Sequence, residues 1–177
     1  MVEFRVYAFG AINNIPAAFC WGLLGVACCM TLLALWRKGW KKGERYCAVI
    51  WMMAWVFLLI GSTVVFRESS VEPRIQLVPF ISYWDFGENS YFLECLVANL
   101  LNVILFVPVG FLLGCGFVDM TWKRVLLTGC GLSVAIELLQ LVFQKGFCET
   151  DDVIHNVAGC LIGYGLWRVC CIRLHTS

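Results

Sequence analysis

The sequence predicts an all-α fold: a polytopic transmembrane bundle of helices, with the N-terminus outside and the C-terminus in the cytoplasm. Of its 177 residues, 61% are hydrophobic and only 14% are charged, whereas soluble domains carry about 25% charged residues. The apolar residues fall into about five runs near the roughly 20 residues that a membrane helix needs. Basic residues cluster in alternate loops, which is typical of cytoplasmic loops.

The predicted spans follow one another with short connections, except for one long loop. Pro16 suits the first turn of span one, and Pro108 with Gly110 is expected to kink span three. The long loop, residues 67–91, is too apolar for a disordered linker, so we expect it to fold over the outer end of the bundle or lie along the interface. The predicted spans are 15–36, 46–66, 92–117, 125–143 and 153–171. The loop side chains expected to be buried are Ile75, Leu77, Val78, Phe80, Ile81, Tyr83, Trp84 and Phe86.

The distribution of Lys and Arg sets the predicted orientation. Nine lie on the side of the bundle that holds the 37–45 loop, and four lie on the other side. The positive-inside rule therefore places the 37–45 loop and the C-terminus in the cytoplasm. The net charge of +1 gives no reason to expect nucleic acid as a partner.

Polar side chains interrupt three of the predicted spans in pairs. A spacing of three or four residues places both members of each pair on one helix face, and a rise of about 1.5 Å per residue places all three pairs in the outer half of the membrane. Two arginines begin the loop just above them. The candidate binding residues are Arg67, Arg74, Asn99, Asn102, Gln140, Asp151, Asp152 and Asn156, and Glu137 is the candidate catalytic residue.

The chemistry of this set rests chiefly on Glu137. A carboxylate within a membrane span is a functional-site candidate by default, and we expect a polar cavity open to the outside. The Asn and Gln side chains have a simpler alternative role, which is to form hydrogen bonds between helices. Asp151 or Asp152 has a simpler alternative role as the N-terminal cap of a helix. No zinc-ligand spacing occurs, and no metal or cofactor is expected. Most of the 11 Cys are expected to act as small apolar residues, and a Cys95–Cys148 disulfide is left open.

Four sequence segments, taken in order, resemble the VanZ-like family: Pro79–Phe80, NLLNVILFVPVG from residue 99, Glu137-x-x-Gln140, and ETDDVIHNVAGCLIGY from residue 149. The resemblance is strongest over residues 60–166, and residues 1–177 are interpreted as a single domain. It implies a multi-pass protein of the bacterial plasma membrane, and the family's founding member is linked to teicoplanin resistance. Many members carry an Arg before the acidic pair, where this chain has Lys145.

Three functions are consistent with these residues. The first is a non-catalytic envelope protein whose outer cavity binds a lipid headgroup, a lipid-linked cell-wall glycan or the lipoglycopeptide itself. In this case we expect Arg67 and Arg74 to meet a phosphate or carboxylate, and the Asn and Gln side chains to bond sugar or amide groups. The second is an intramembrane enzyme acting on a lipid headgroup, with Glu137 as general base, or with Glu137, Asp151 and Asp152 binding a hard cation such as Mg²⁺ or Ca²⁺ instead. The third is a small transporter or flippase, for which the lack of an internal repeat is poor support. A homodimer could supply a missing half. Membrane lipids are the expected partners in each case.

Overall fold

The computed structural model describes residues 16–38, 40–67, 69, 75–80, 83, 89–146 and 148–176. Over these residues the chain forms five α-helices, so the all-α class is confirmed. The helices are α1 (Ala17–Lys38), α2 (Trp40–Ile60), α3 (Asn89–Gly116), α4 (Trp122–Val142) and α5 (Thr150–Thr176). A π-helical turn, Gly61–Val65, continues α2. Two short strands, β1 (Ile75–Gln76) and β2 (Cys148–Glu149), pair in parallel.

The helices differ in how well they suit a bilayer. Within the described residues, three segments are long and apolar enough to cross it: Gly43–Val65, Cys95–Gly116 and Trp122–Val142. The apolar part of α1 that is described, Ala17–Leu32, is shorter. Each predicted span corresponds to a helix, and α5 carries His155, Asn156 and Arg168 within its predicted span.

The centre of the bundle is the close contact between α3 and α5. A Cβ added to Gly110 would lie 1.8 Å from the carbonyl oxygen of Cys160, and one added to Gly163 would lie 1.9 Å from that of Val107. Only glycine permits this approach of two backbones, and the Gly159-x-x-x-Gly163 spacing is typical of such close helix packing. The buried core comprises Leu59, Phe106, Val109, Leu113, Val125, Ile136, Cys160 and Tyr164.

Helix α2 is fastened to α3 near Pro108. Proline has no N–H and cannot donate to the carbonyl four residues earlier, yet α3 runs on through it. The indole Nε1 of Trp55 donates to the carbonyl oxygen of Leu105 at 2.8 Å, in the same turn. The bond thus fastens α2 to α3 one residue beyond the carbonyl oxygen of Ile104, which Pro108 leaves without its helical donor.

The two ends of the bundle have different chemistry. At the "aromatic end", Tyr164 makes an edge contact with Trp122, with ring centroids 4.7 Å apart, and stacks on Trp167 at 5.3 Å. Its hydroxyl donates to the carbonyl oxygen of Met120. At the opposite "polar end" lie the π-helical turn, the start of α3, the end of α4, the start of α5 and the two strands.

The described part of the long loop folds back onto the polar end, one of its two predicted arrangements. The carbonyl oxygens of Gln76 and Leu77 accept from Thr150 Oγ1. The prediction that the loop's apolar side chains are buried is wrong for Ile75, Leu77, Val78 and Phe80, which are 46–71% exposed. The physical reason is that this loop attaches through its backbone polar groups, which leaves the apolar side chains outside. Tyr83 is half-buried; Ile81, Trp84 and Phe86 lie outside the described residues.

Candidate functional site

The inner face of α4 is polar where it approaches the polar end. Ser133, Glu137 and Gln140 are spaced so that they share one face, and each is at most 3% exposed. They face the start of α5 and the π-helical turn. The carboxyl side chain of Glu137 is therefore enclosed by protein, not by lipid.

Glu137 is held by the short strand β2. Its Oε2 accepts a hydrogen bond from the backbone N–H of Glu149 at 3.1 Å. Pairing of Ile75 with Cys148 and of Gln76 with Glu149 fixes that strand. The loop before α3 and the loop before α5 together determine where the backbone donor to Glu137 lies.

Three acidic side chains share one guanidinium at this site. Glu137, Glu149 and Asp152 each interact electrostatically with Arg67. Glu137 also interacts with both other carboxyl groups. We call Glu137, Glu149, Asp152 and Arg67 the "carboxylate cluster". Arg67 is thus the shared positive partner of three acidic side chains.

The path of the chain after α2 places Arg67 in the cluster. The residue follows the π-helical turn, and its guanidinium packs on Gly146, where an added Cβ would lie 3.0 Å from Cζ. Lys145 Nζ donates to the carbonyl oxygen of Arg67 at 2.8 Å. Lys145 therefore lies next to Arg67 and holds its backbone.

Glu149 titrates near neutrality. Burial raises its pKa from 4.5 to about 7, and the nearby Asp152 and Asp151 act in the same direction, while Arg67 opposes them. Burial likewise raises the pKa of the neighbouring Cys148 thiol. Sequence reasoning did not single out Glu149. The only signal was its place at the head of the acidic run Glu149-Thr-Asp-Asp.

The two asparagines of α3 have different partners. Asn102 Nδ2 donates to Asp152 Oδ1 at 2.6 Å and so extends the carboxylate cluster. Asn99 Nδ2 donates to the hydroxyl of Tyr83 at 2.8 Å. One face of α3 thus serves two separate networks.

The second network runs from the loop into α5. Tyr83 Oη lies 3.1 Å from His155 Nε2, and His155 Nδ1 lies 2.6 Å from the carbonyl oxygen of Asp151. Because a carbonyl only accepts, Nδ1 carries the proton, and in neutral histidine Nε2 then accepts from Tyr83. Asp151 Oδ1 accepts from the N–H of Phe80 at 2.6 Å. We call this the "Tyr83 network"; sequence reasoning named Tyr83 only as a loop side chain expected to be buried, and it assigned no role to His155.

Two buried amides are only half satisfied. Gln140 Nε2 donates to the carbonyl oxygen of Thr63 in the π-helical turn at 3.3 Å, and Asn156 Nδ2 donates to Ser133 Oγ at 2.9 Å. Gln140 Oε1 and Asn156 Oδ1 are buried and have no hydrogen-bond partner in the described part of the chain. A buried acceptor without a donor costs about 1–3 kcal/mol, so these oxygens are available to a ligand or water.

Most predicted site residues converge, with two exceptions. Arg67, Asn102, Glu137 and Asp152 are brought into one cluster, and Gln140 and Asn156 flank it. Asn99 and Asp151 belong to the Tyr83 network. Arg74 lies outside the described residues.

Neither a metal site nor a disulfide is formed among the described residues. No group of three His, Cys, Asp or Glu side chains there is arranged to hold a metal ion. Cys95 and Cys148 are not joined in a disulfide.

Comparison with known proteins agrees with the sequence resemblance. The sequence model of the VanZ/LLP1 family matches residues 45–171, which is most of the chain and includes every described residue of both networks. "Protein VanZ" of Enterococcus faecium is 33% identical over 66 residues, covering 37% of this chain and 41% of that protein. The aligned part is thus less than half of the relative. No solved structure matches this chain.

Proposed function

This chain belongs to the VanZ/LLP1 family, and we propose that it is a non-catalytic membrane protein of the bacterial envelope. In this proposal the polar end binds the headgroup of a lipid, of a lipid-linked glycan or of a lipoglycopeptide such as teicoplanin. The chief support is that polar side chains of three helices meet at one end of an otherwise apolar bundle.

The proposed topology places this end at the outer surface. Five spans, with the N-terminus outside and the C-terminus in the cytoplasm, follow from the distribution of Lys and Arg. The β1–β2 pair and the carboxylate cluster then lie on the external side of the plasma membrane. A site there meets lipids and cell-wall intermediates of the outer leaflet without any transport step.

The chemistry of the site favours a ligand that is rich in hydrogen-bond donors. Gln140 Oε1 and Asn156 Oδ1 are acceptors without a partner in the described chain, and the carboxylates are acceptors too. Arg67 already interacts with three carboxyl groups, so an anionic group would have to compete with them. Sugar hydroxyls, amide N–H groups or an ammonium group can donate to these acceptors, and they therefore fit the site better than a phosphate does.

The proposal is tested by drug susceptibility and ligand binding in one set of variants. A glycopeptide-sensitive Gram-positive host would express the wild type or Glu137→Gln at matched levels, and protection against teicoplanin and vancomycin would be measured. Gln keeps an oxygen for the Glu149 N–H but loses the charge. Because hydrogen bonds to charged groups contribute about 1.5–3 kcal/mol, we expect headgroup binding to weaken roughly tenfold to a hundredfold and protection to fall without vanishing.

The matched control is Glu44→Gln, the same chemical change at an exposed position outside the polar end. It should leave protection and lipid co-purification unchanged. Absence of teicoplanin protection by well-expressed wild type would refute the resistance role. Absence of any co-purifying polar lipid or glycolipid would refute the binding role.

A second candidate, an intramembrane enzyme, is favoured by one observation. Glu149, whose pKa is about 7, contacts Glu137 through its backbone, so a proton-accepting group lies beside a buried carboxyl. Loss of a general base lowers a rate about 10²–10⁴-fold. Glu137→Gln would then abolish protection while headgroup binding survives, the opposite of the result expected for a binding protein.

A further inference from the structure

An apolar groove separates the outward-facing sides of α1 and α2. Its volume is about 320 Å³, which is within the range of small-molecule sites. Eight residues form its walls and none of them is charged: Cys20, Trp21, Leu23, Leu24, Trp51, Ala54, Trp55 and Leu58. The groove lies outside the carboxylate cluster and shares no residue with it.

Contacts fix the positions of side chains beside the groove and in its wall. Towards the polar end, the ring of Phe19 packs 3.0 Å from where a Cβ of Gly61 would lie, and it makes an edge contact with Phe66 at 5.1 Å between centroids. In the α2 wall, the indole of Trp55 donates a hydrogen bond to the carbonyl oxygen of Leu105. These contacts join α1 to the turn after α2, and α2 to α3, on either side of the groove.

The surroundings of the groove identify its occupant. Neighbouring side chains on the same helices, such as Val26, Met53 and Phe57, are more than half exposed and apolar, so hydrocarbon is the surrounding medium. Water does not fill an apolar space. If a methylene group occupies about 30 Å³, the volume that one water molecule takes up in the liquid, the groove has room for roughly ten methylene groups.

We propose that this groove binds one acyl chain of a membrane amphiphile as a specific site, distinct from the lipid that coats the rest of the helices. This goes beyond the proposed headgroup site and does not depend on it, since the groove involves α1, which lies outside the family match. The indoles of Trp21, Trp51 and Trp55 provide broad apolar walls, and a chain seated between them contacts both helices at once.

Photocrosslinking tests this inference. A fatty acid with a photoreactive diazirine in its chain would be incorporated into nanodiscs containing the full-length wild-type protein, and labelled residues would be mapped by mass spectrometry. We expect labels on Trp51, Ala54 and Leu58 to exceed those on Met53 and Phe57 of the same helix. Equal labelling of the two faces would overturn the proposal, because the lipid coat alone then accounts for the contacts.

A pair of variants gives a second, independent readout. Ala54→Phe fills the groove, whereas Met53→Phe adds a comparable ring on an exposed position one residue away. The first should abolish the excess of labels on Trp51 and Leu58, and the second should leave it intact. An unchanged labelling pattern in folded Ala54→Phe would refute a specific site. Should Ala54→Phe not fold, the wild-type comparison of the two faces decides alone.

Discussion

The aromatic end and the polar end of this bundle bury polar side chains with different partners. At the aromatic end, Tyr164 satisfies its hydroxyl on Met120 and buries its ring between Trp122 and Trp167. At the polar end, three carboxyl groups share Arg67, and two buried amide oxygens have no partner in the described chain. One end is arranged for stability, and the other retains unsatisfied polar groups.

This difference shows where function is to be sought. Buried polar groups without partners reduce stability, and such exceptions cluster where a ligand can supply the missing contact. The π-helical turn lies at the same end; such turns are frequently found at functional sites. The aromatic end has no comparable exception among its described residues, so substitutions there should affect folding without affecting binding.

The largest expected effect comes from breaking the helix pair that both ends share. Gly110→Ala would place a Cβ 1.8 Å from the backbone oxygen of Cys160, and overpacking costs about 1–3 kcal/mol, occasionally more; contact with a backbone atom, which cannot change rotamer, places this variant at the upper end. We expect a sharp fall in the melting temperature of the protein in detergent, measured by tryptophan fluorescence. The aromatic end and the polar end should unfold together, because α3 and α5 contribute to both.

Gly131→Ala is its control, because nothing lies within 4 Å of an added Cβ there. That variant should melt like the wild type or slightly higher, since Ala favours helix over Gly by up to about 1 kcal/mol. Similar melting of the two variants would contradict the backbone contact between α3 and α5.

Removal of a single hydroxyl group should have a smaller effect, and its consequences for stability and for protection should differ between the two ends. Tyr164→Phe removes one hydrogen bond worth about 1 kcal/mol, which lowers the melting temperature by about 2–4 °C in a protein of this size. Teicoplanin protection should be unchanged. Tyr83→Phe, the same change in the Tyr83 network, should alter protection. Equal effects of both variants on protection would show that the two ends do not differ in function.

The smallest effect at neutral pH is expected for Glu149→Gln. The pKa of Glu149 in the folded chain, about 7, lies above its ordinary value of 4.5, so folding favours the protonated form. Its contribution to stability is complete below pH 4.5 and is lost as the pH rises through about 7. The melting temperature of the wild type should therefore fall between pH 5 and pH 8, in the window set by that shift, and that of Glu149→Gln should fall less.

Glu44→Gln, at an exposed position, is the matched control and should keep the wild-type pH dependence. Identical curves for Glu149→Gln and the wild type would mean that this carboxyl group does not titrate on folding. Any slope that remains in the variant reports the other carboxyl groups of the cluster.

Sequence patterns were sufficient for the helices but not for their polar contacts. The pairs Asn99–Asn102, Glu137–Gln140 and Asp152–Asn156 do share helix faces near one end of the bundle. Their partners were not predictable, because Glu149, Tyr83 and the carbonyl of Thr63 reach the site through turns and loops without periodicity. The exposed Ile75, Leu77, Val78 and Phe80 were misjudged for the same reason, since hydropathy does not tell which side of a loop faces the protein.

The sequence by itself determined the helical class, the approximate bounds of each helix, the close packing at Gly159 and Gly163, and the family. These are local properties, because a membrane helix satisfies its backbone within its own segment and needs only length and apolar composition. Only the tertiary structure decided which polar atoms meet, how Arg67 is shared and where the α1–α2 groove lies. Those outcomes depend on helix rotation and loop path, which join residues as distant as Phe80 and Asp151 through contacts of a few kcal/mol at most.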